Sequence, residues 1–177
     1  MAADGTWAFA ARRNRDPAER KVQALGLACA MAFGGWSVAY SALGPDALRV
    51  WTLPAWTVWA GWVIAALGLV VVMTAQAQMG ASWRIGIDAE STPLVTGGLF
   101  RIVRNPIYSG LFVFGAGLVL VSPSPWLAAI ELASLLVIRA QVLREEAHLR
   151  RIHGREFDDW AGRVGRFLPW IGRSSGC

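Results

Sequence analysis

The chain has 177 residues, of which 55% are hydrophobic and 16% charged, a balance too apolar for an ordinary soluble domain. Ten tryptophans favour contact with a membrane–water boundary, where indole rings concentrate. The net charge of +5 is not arranged as a basic face interleaved with exposed aromatics. We therefore interpret it as a topology signal and an attraction to anionic lipid headgroups, and we expect no nucleic-acid partner.

The first 75 residues predict a polar segment followed by two membrane crossings. Residues 1–21 are polar and basic, and no small-residue cleavage site follows the first apolar run, so we expect no cleavable signal. Apolar runs of about 20 residues then cover roughly 22–43 and 55–75, each sufficient to cross about 30 Å of hydrocarbon as a helix. Cys29 and Cys177 give no support for a disulfide framework.

Residues 76–105 form the next segment, which is long for a connection between helices. Loops of this length are usually functional or disordered. This one has enough apolar side chains to fold against a surface, and we expect an ordered lid: Trp83, Ile85, Ile87, Leu94, Val95, Leu99 and Phe100.

Two further apolar runs predict a short helical hairpin over 106–143. The first arm is only about 15 residues long and contains Gly110, Gly115 and Gly117, small residues that permit close backbone approach. Pro123 and Pro125 mark the turn, and the second arm continues into a charged helix. The expected fold is one all-α, polytopic membrane domain over 1–177, with about four transmembrane helices and a helical C-terminal cap over 144–177.

The basic residues predict the orientation. Sixteen of the 17 Lys and Arg residues precede residue 22, lie within 76–105, or follow residue 138, and only Arg49 lies on the other side. The positive-inside rule then places both termini, the 76–105 loop and the cap in the cytoplasm.

The decapeptide 101–110, Arg-Ile-Val-Arg-Asn-Pro-Ile-Tyr-Ser-Gly, gathers polar groups at the start of the hairpin. Asn105 is a good helix N-cap and Pro106 suits the first turn. Two snorkelling arginines, a capped helix and an interfacial Tyr108 would account for the motif without any ligand. The alternative is an anion-friendly pocket in which Arg104 and the helix N-terminus are joined by the Asn105 amide and the Tyr108 phenol.

Glu145 and Glu146 lie at the end of the second arm. They are compatible with a solvated ion-pair face, with partners at helical spacing from Arg139, Arg144, Arg150 and Arg151. A short hairpin nevertheless brings its two outer ends together, so we expect the pair to meet the Asn105 region. Charged groups are costly near lipid, which favours a site, and this arrangement would hold a zwitterionic or cationic ligand.

Three other titratable residues carry weaker expectations. Glu131 lies inside the second arm and needs a partner or water, and Arg139 is a possible but distant one. His148 and His153 complete no metal-ligand spacing, so we expect no metal site.

Together these segments resemble the superfamily of isoprenylcysteine carboxyl methyltransferases and phospholipid N-methyltransferases, in a bacterial-type form. The matching stretches are 79–86, 98–110, Glu145-Glu146, 154–157 with Trp160, and 166–169, in that order. The resemblance spans about 76–170 and implies an integral membrane enzyme, in this form of the bacterial inner membrane.

The resemblance also implies S-adenosylmethionine (SAM) as cofactor and a lipophilic or small methyl acceptor entering from membrane lipid. Cofactor contact is carried over to Asn105, Tyr108, Glu145 and Glu146, and more weakly to Arg104, Trp83 and Arg84. Asn105 stands where many carboxyl methyltransferases have histidine, so the catalytic residue stays open, with Glu146, Tyr108 and Arg166 as candidates. The acceptor group, carboxylate, amine or thiol, and the oligomeric state also stay open.

The sequence leaves two alternatives to methyl transfer open. One is an NADPH-dependent membrane reductase of related architecture, against which Leu111 counts, because such relatives usually have glutamate there. The other is a non-enzymatic membrane carrier or adaptor, in which the polar clusters only cap helices.

Overall fold

Five α-helices form the described part of the chain, residues 17–80 and 93–173 of the computed structural model. In chain order they are α1 (Pro17–Ala47), α2 (Ala55–Met79), α3 (Pro106–Val121), α4 (Pro125–His153) and α5 (Arg155–Arg163), with a 3₁₀ helix at Gly98–Arg101. Within these ranges β-structure is limited to two isolated bridges, Val103–Gly165 and Leu168–Ile171. The prediction of an all-α fold is confirmed.

Three of the helices, α1, α2 and α4, are long and apolar enough to span a membrane. The fourth apolar helix, α3, has 16 residues and is about 24 Å long, shorter than a full crossing. α1 begins at Pro17, five residues before the predicted span, and near its other end Gly44 takes a φ of 81° ahead of Pro45, which kinks the helix. The prediction of a polytopic membrane protein is confirmed.

At the end of the bundle opposite the cap, the α1–α2 connection is tied to the hairpin turn. The Trp51 amide donates to the Pro123 carbonyl at 2.9 Å, and the Ser124 hydroxyl donates to the Leu48 carbonyl at 2.8 Å. These bonds fix the turn between α3 and α4 and therefore the relative position of the two arms.

The hairpin arms are not as tightly paired as the sequence predicts. The glycines of α3 face α2: a Cβ on Gly110 would lie 2.8 Å from the Gly68 carbonyl oxygen, and one on Gly61 would lie 2.8 Å from the Gly117 carbonyl oxygen. The close backbone approach is thus between α2 and α3, while α4 packs mainly against α1. The glycines of α3 meet Gly61, Ala65 and Gly68 of α2, so the small residues of α3 serve this pair of helices and not the hairpin.

The cap has its own apolar core beside the end of α2. Phe100, Phe157, Trp160 and Val164 are buried there against Ala75. The Trp160 indole donates to the Phe100 carbonyl at 3.1 Å, and the Leu99 amide donates to Gln78 at 2.7 Å. The described part of the predicted lid therefore packs on the cap, and residues 81–92 lie outside the described residues.

Candidate functional site

The site forms where three segments converge at the cap end of the bundle. They are the start of α3 at Pro106, the charged part of α4 at Glu145 and Glu146, and residues 165–167 after α5. The Arg104 amide donates to the Gly165 carbonyl at 2.8 Å, and the Asn105 amide donates to the Arg166 carbonyl at 3.2 Å. The expected meeting of the asparagine motif and the glutamate pair is present.

Glu146 is the centre of a closed polar cluster. Its Oε1 accepts a hydrogen bond from Asn105 Nδ2 at 3.1 Å, and its Oε2 accepts from Arg166 Nη2 at 2.9 Å. Arg166 Nε also donates to it, at 3.1 and 3.2 Å from the two oxygens. Arg104 Nε lies 3.2 Å from Oε1, an ion pair without hydrogen-bond alignment. We call Arg104, Asn105, Glu146 and Arg166 the Glu146 cluster; both oxygens of its carboxylate are occupied.

Arg104 is almost completely buried, with 4% of its surface exposed. Its Nη1 donates to the Ala161 carbonyl at 2.8 Å and its Nη2 to the Gly172 carbonyl at 2.7 Å. Burial lowers the pKa of the Arg104 guanidinium, and the nearby Glu146 carboxylate opposes that shift. Arg104 therefore joins the loop, the cap and α4.

Glu145 has different surroundings from its neighbour. Its Oε1 accepts hydrogen bonds from the Tyr108 hydroxyl at 3.0 Å and from Gln141 Nε2 at 2.8 Å. Among the described residues, none donates to Oε2 of Glu145. We call Tyr108 and Glu145 the Tyr108–Glu145 pair; within the described ranges, one oxygen of its carboxylate accepts no hydrogen bond.

Asn105 occupies the predicted N-cap position of α3 but does not cap the helix with its side chain. The amide instead donates to Glu146 and, at 3.3 Å, to the Arg166 carbonyl. Ser109 stabilises the same junction, since its hydroxyl lies 2.7 Å from the Phe167 carbonyl oxygen and 3.0 Å from that of Asn105. Asn105 therefore holds the N-cap position without a side-chain cap bond, and its Nδ2 donates to Glu146 and to the chain at Arg166.

The ion pairs also differ from those predicted along α4. Glu146 pairs with Arg104 and Arg166, neither of which lies on α4, and Arg150 pairs with Asp158 at 2.6 Å. The sequence-predicted contacts Trp83 and Arg84 lie outside the described residues. In the described ranges no three His, Cys, Asp or Glu residues, His148 and His153 included, form a metal-binding group.

An apolar groove of about 270 Å³ lies between α1, α3 and α4, and on α4 its lining ends at Ile138, two helical turns before Glu145. Its lining runs from Phe112 and Ile138, nearer the pair, to Leu118 and Glu131 deeper in the bundle. Glu131 fits there because Gly115, directly opposite, has no side chain. In the described chain Glu131 has no hydrogen-bond or ion-pair partner, so the suggested contact with Arg139 is absent.

Several residues at the site escaped the sequence prediction. Gln141 precedes Glu145 by one helical turn, a spacing that favours such side-chain bonds, so it was detectable in principle. Ser109 lies inside the motif itself. Gly165 was not detectable, because only the fold shows that a Cβ there would lie 2.8 Å from the Trp170 nitrogen and 2.9 Å from the Ile171 oxygen.

Comparison with known proteins gives one family match. The model of the family described as "Phospholipid methyltransferase" matches residues 56–156, more than half of the chain. The match includes α2 from its second residue onward, α3 and α4. It also includes every described residue that bonds to Glu145 or Glu146 through a side chain, except Arg166.

Curated relatives match a similar region. The nickel-cobalt-cadmium resistance protein NccN of Alcaligenes xylosoxydans xylosoxydans is 36% identical over 111 residues, which cover 61% of this chain and 52% of that protein. A probable protein-S-isoprenylcysteine O-methyltransferase of Oryza sativa subsp. indica is 31% identical over 115 residues, 63% of this chain and 60% of that protein. The matched region is thus about half to three fifths of the length of these relatives.

Solved structures of similar fold include a membrane methyltransferase. It is the eukaryotic intramembrane Ras methyltransferase ICMT (isoprenylcysteine carboxyl methyltransferase), with a TM-score of 0.62 and 22% identity. The superposition covers 92% of this chain and 56% of that one. At this identity the likeness extends to the helical membrane fold alone.

Proposed function

This chain belongs to the phospholipid methyltransferase family, and from that membership we propose that it is a SAM-dependent methyltransferase of a lipophilic or small acceptor. The observation that carries the proposal is a contrast among the described residues at the cap end of the bundle: both oxygens of Glu146 accept hydrogen bonds, whereas only one oxygen of Glu145 does. Family membership favours methyl transfer over the NADPH-dependent reductase and over the non-enzymatic carrier.

The donor set at the site suits SAM. The ligand carries an α-amino group and ribose hydroxyls, and Glu145 Oε2 is a carboxylate acceptor able to take a hydrogen bond from such donors. Tyr108 and Gln141 hold the other oxygen of Glu145, which fixes the direction in which Oε2 is presented. We assign ligand contact to Glu145 and Tyr108 first, and to Trp83 and Arg84 as sequence-based candidates.

The Glu146 cluster positions the site and does not react. Three residues were sequence candidates for catalysis. Arg166 donates hydrogen bonds to Glu146, and the Tyr108 hydroxyl donates one to Glu145. Asn105 and Arg104 contact the same carboxylate, so we move them from direct cofactor contact to support of the cap over the ligand.

The chemistry makes few demands on the protein. SAM supplies an activated methyl group on a sulfonium, so the chain must mainly align the acceptor and exclude water. The cap, buried against the end of α2, performs the second task. A carboxylate or thiolate acceptor needs no general base, whereas an amine must first lose a proton.

The groove below the pair is the proposed place for the acceptor's apolar chain. Its lining is mostly apolar, with Glu131 and Ser134 as polar members, and it lies between three apolar helices, which suits a lipophilic chain that approaches from within the bilayer. We place this end of the bundle in the cytoplasm of a bacterium, at the inner membrane, on the basis of sixteen basic residues against one.

The test begins with binding of SAM and of its demethylated product to purified, folded protein by calorimetry. Glu145→Gln removes the charge while keeping the size, and we expect at least a tenfold loss of affinity. Asp159→Asn removes an equal charge from an exposed position on α5 and should bind as the unaltered chain does. Absence of binding to well-folded protein would overturn the proposal.

The acceptor is identified by incubating membranes that contain the protein with methyl-labelled SAM. Label should enter an extractable lipid or small molecule, and membranes with the Glu145→Gln variant should lose most of it. Binding of SAM without any labelled product would favour the carrier, and oxidation of NADPH would favour the reductase.

A further inference from the structure

A turn at the end of the cap exposes three large apolar side chains. Leu168 is 57% exposed, Trp170 75% and Ile171 63%. Surface residues of this kind are unremarkable when scattered, but three within four residues form a continuous apolar tip.

The backbone imposes this exposure. The Ile171 amide donates to the Leu168 carbonyl at 3.2 Å, and the Arg166 amide donates to the Ile171 carbonyl at 2.8 Å, so the turn is closed twice. Trp170 adopts a φ of 64°, a left-handed conformation uncommon for a bulky residue. Such conformations persist where the surroundings fix them, and here they hold an indole ring away from the protein.

The position of the turn relative to α3 sets its depth. The stretch leading into it runs along the start of α3, where the Phe167 and Phe112 rings meet edge to face at 5.1 Å between centroids. Phe112 lies six residues beyond Pro106, which is about 9 Å along the helix. The turn therefore emerges beside the second helical turn of a membrane-embedded helix, at the level of the lipid headgroups and upper acyl chains.

The charges around the turn suit an anionic lipid surface. Arg163 and Arg173 are exposed and precede and follow the turn in the sequence, and the Arg166 side chain is 29% exposed. Basic residues near an anionic leaflet are attracted to it, and tryptophan is the residue most typical of the interface.

We propose that the turn 168–171 inserts into the leaflet at the cap end of the bundle and anchors the cap to a lipid surface. Membrane contact by this turn does not depend on methyl transfer. The turn is nevertheless connected to the site, because the Arg166 amide donates to the Ile171 carbonyl and the Arg166 side chain donates to Glu146.

The experiment measures the depth of a nitroxide spin label attached at Trp170→Cys, in a background with Cys29→Ala and Cys177→Ser. The full chain is placed in vesicles of phosphatidylcholine and phosphatidylglycerol, and relaxation by oxygen is compared with relaxation by a water-soluble nickel chelate. A label at Asp159→Cys, exposed on α5, is the matched control.

The label at position 170 should be relaxed mainly by oxygen, and the label at 159 mainly by the nickel chelate. A second label at Leu168→Cys should follow position 170, which guards against a local effect of one substitution. Equal access of nickel to 170 and 159 would overturn the proposal. Shielding of position 170 from both reagents would also overturn it, since the turn would then be covered by protein, from segment 81–92 or a second copy.

Discussion

The two adjacent carboxylates of α4 have opposite surroundings. Glu146 receives hydrogen bonds from Asn105 and Arg166 and lies in an ion pair with Arg104. Within the part of the chain that the structure describes, Glu145 receives them through one oxygen, from Tyr108 and Gln141. Consecutive helical residues point about 100° apart, so α4 presents one carboxylate to the cap and the other to the space beside the groove.

This difference separates two tasks within a few ångströms. A carboxylate whose oxygens both accept hydrogen bonds from other segments holds those segments together, and its loss leaves the buried Arg104 without its counter-charge. A carboxylate with a free oxygen is available to a ligand, and its loss should spare the fold. The predictions below test that separation, from the largest expected effect to the smallest.

Glu146→Ala should destabilise the protein by about 3–5 kcal/mol, because it leaves the Arg104 guanidinium buried without its counter-charge. The Arg104 side chain is only 1% exposed and that of Glu146 12%, so solvent screens the pair poorly. The measurement is thermal unfolding in detergent, where the midpoint should fall by on the order of 10 °C. Glu145→Ala, one residue away on the same helix, is the matched control and should fall much less. Equal losses would contradict the separation of roles.

The sequence predicted the positions of these two residues but not their roles. Helix spans and the convergence of Asn105 with the glutamates follow from apolar run lengths and from the shortness of the hairpin. The ion-pair partners of Glu146 do not follow from the sequence. Arg166 lies near Glu146 because of the backbone path of residues 165–167, and that path depends on the close contacts of Gly165. Several arginines on α4 also have the helical spacing that allows an ion pair with the glutamates, so spacing alone did not identify the partners.

The helix partners of the hairpin were unpredictable for a related reason. Glycines in α3 signal a close neighbour without saying which helix it is. The matching stripe in α2, with Gly61 and Gly68 among its members, decides the question only when both helices are placed side by side.

Arg166→Lys should destabilise the protein by about 1.5 kcal/mol, the lower part of the range for hydrogen bonds to charged groups. Lysine keeps the charge but cannot reproduce the two-nitrogen contact of the guanidinium with Glu146. Thermal unfolding checks this, with Arg163→Lys, an exposed position at the end of α5, as control. An unchanged midpoint for the Arg166 variant would show that the forked contact is dispensable.

Tyr108→Phe removes a single hydrogen bond to Glu145, so the free energy of unfolding should fall by only about 1 kcal/mol. Its larger effect should be on ligand binding, because Gln141 is then the one described residue that donates a hydrogen bond to Glu145 Oε1. We expect a several-fold loss of SAM affinity by calorimetry. Tyr40→Phe is the control, since in the described chain the Tyr40 hydroxyl has no hydrogen-bond partner. A stability loss as large as that of Glu146→Ala, with affinity unchanged, would assign Tyr108 to the closed cluster.

The smallest effect is expected for an exposed ion pair that involves neither Glu145 nor Glu146. Arg150 and Asp158 lie 2.6 Å apart, but their side chains are 50% and 46% exposed. Exposed pairs contribute little, so Asp158→Asn should change the free energy of unfolding by about 0.5 kcal/mol or less. Raising the salt concentration should weaken even that difference, since mobile ions screen exposed charges. Comparison of unfolding midpoints at low and high salt measures this difference. A loss of stability comparable to that of Glu146→Ala would mean that a short ion-pair distance, and not burial, determines which charges stabilise the cap.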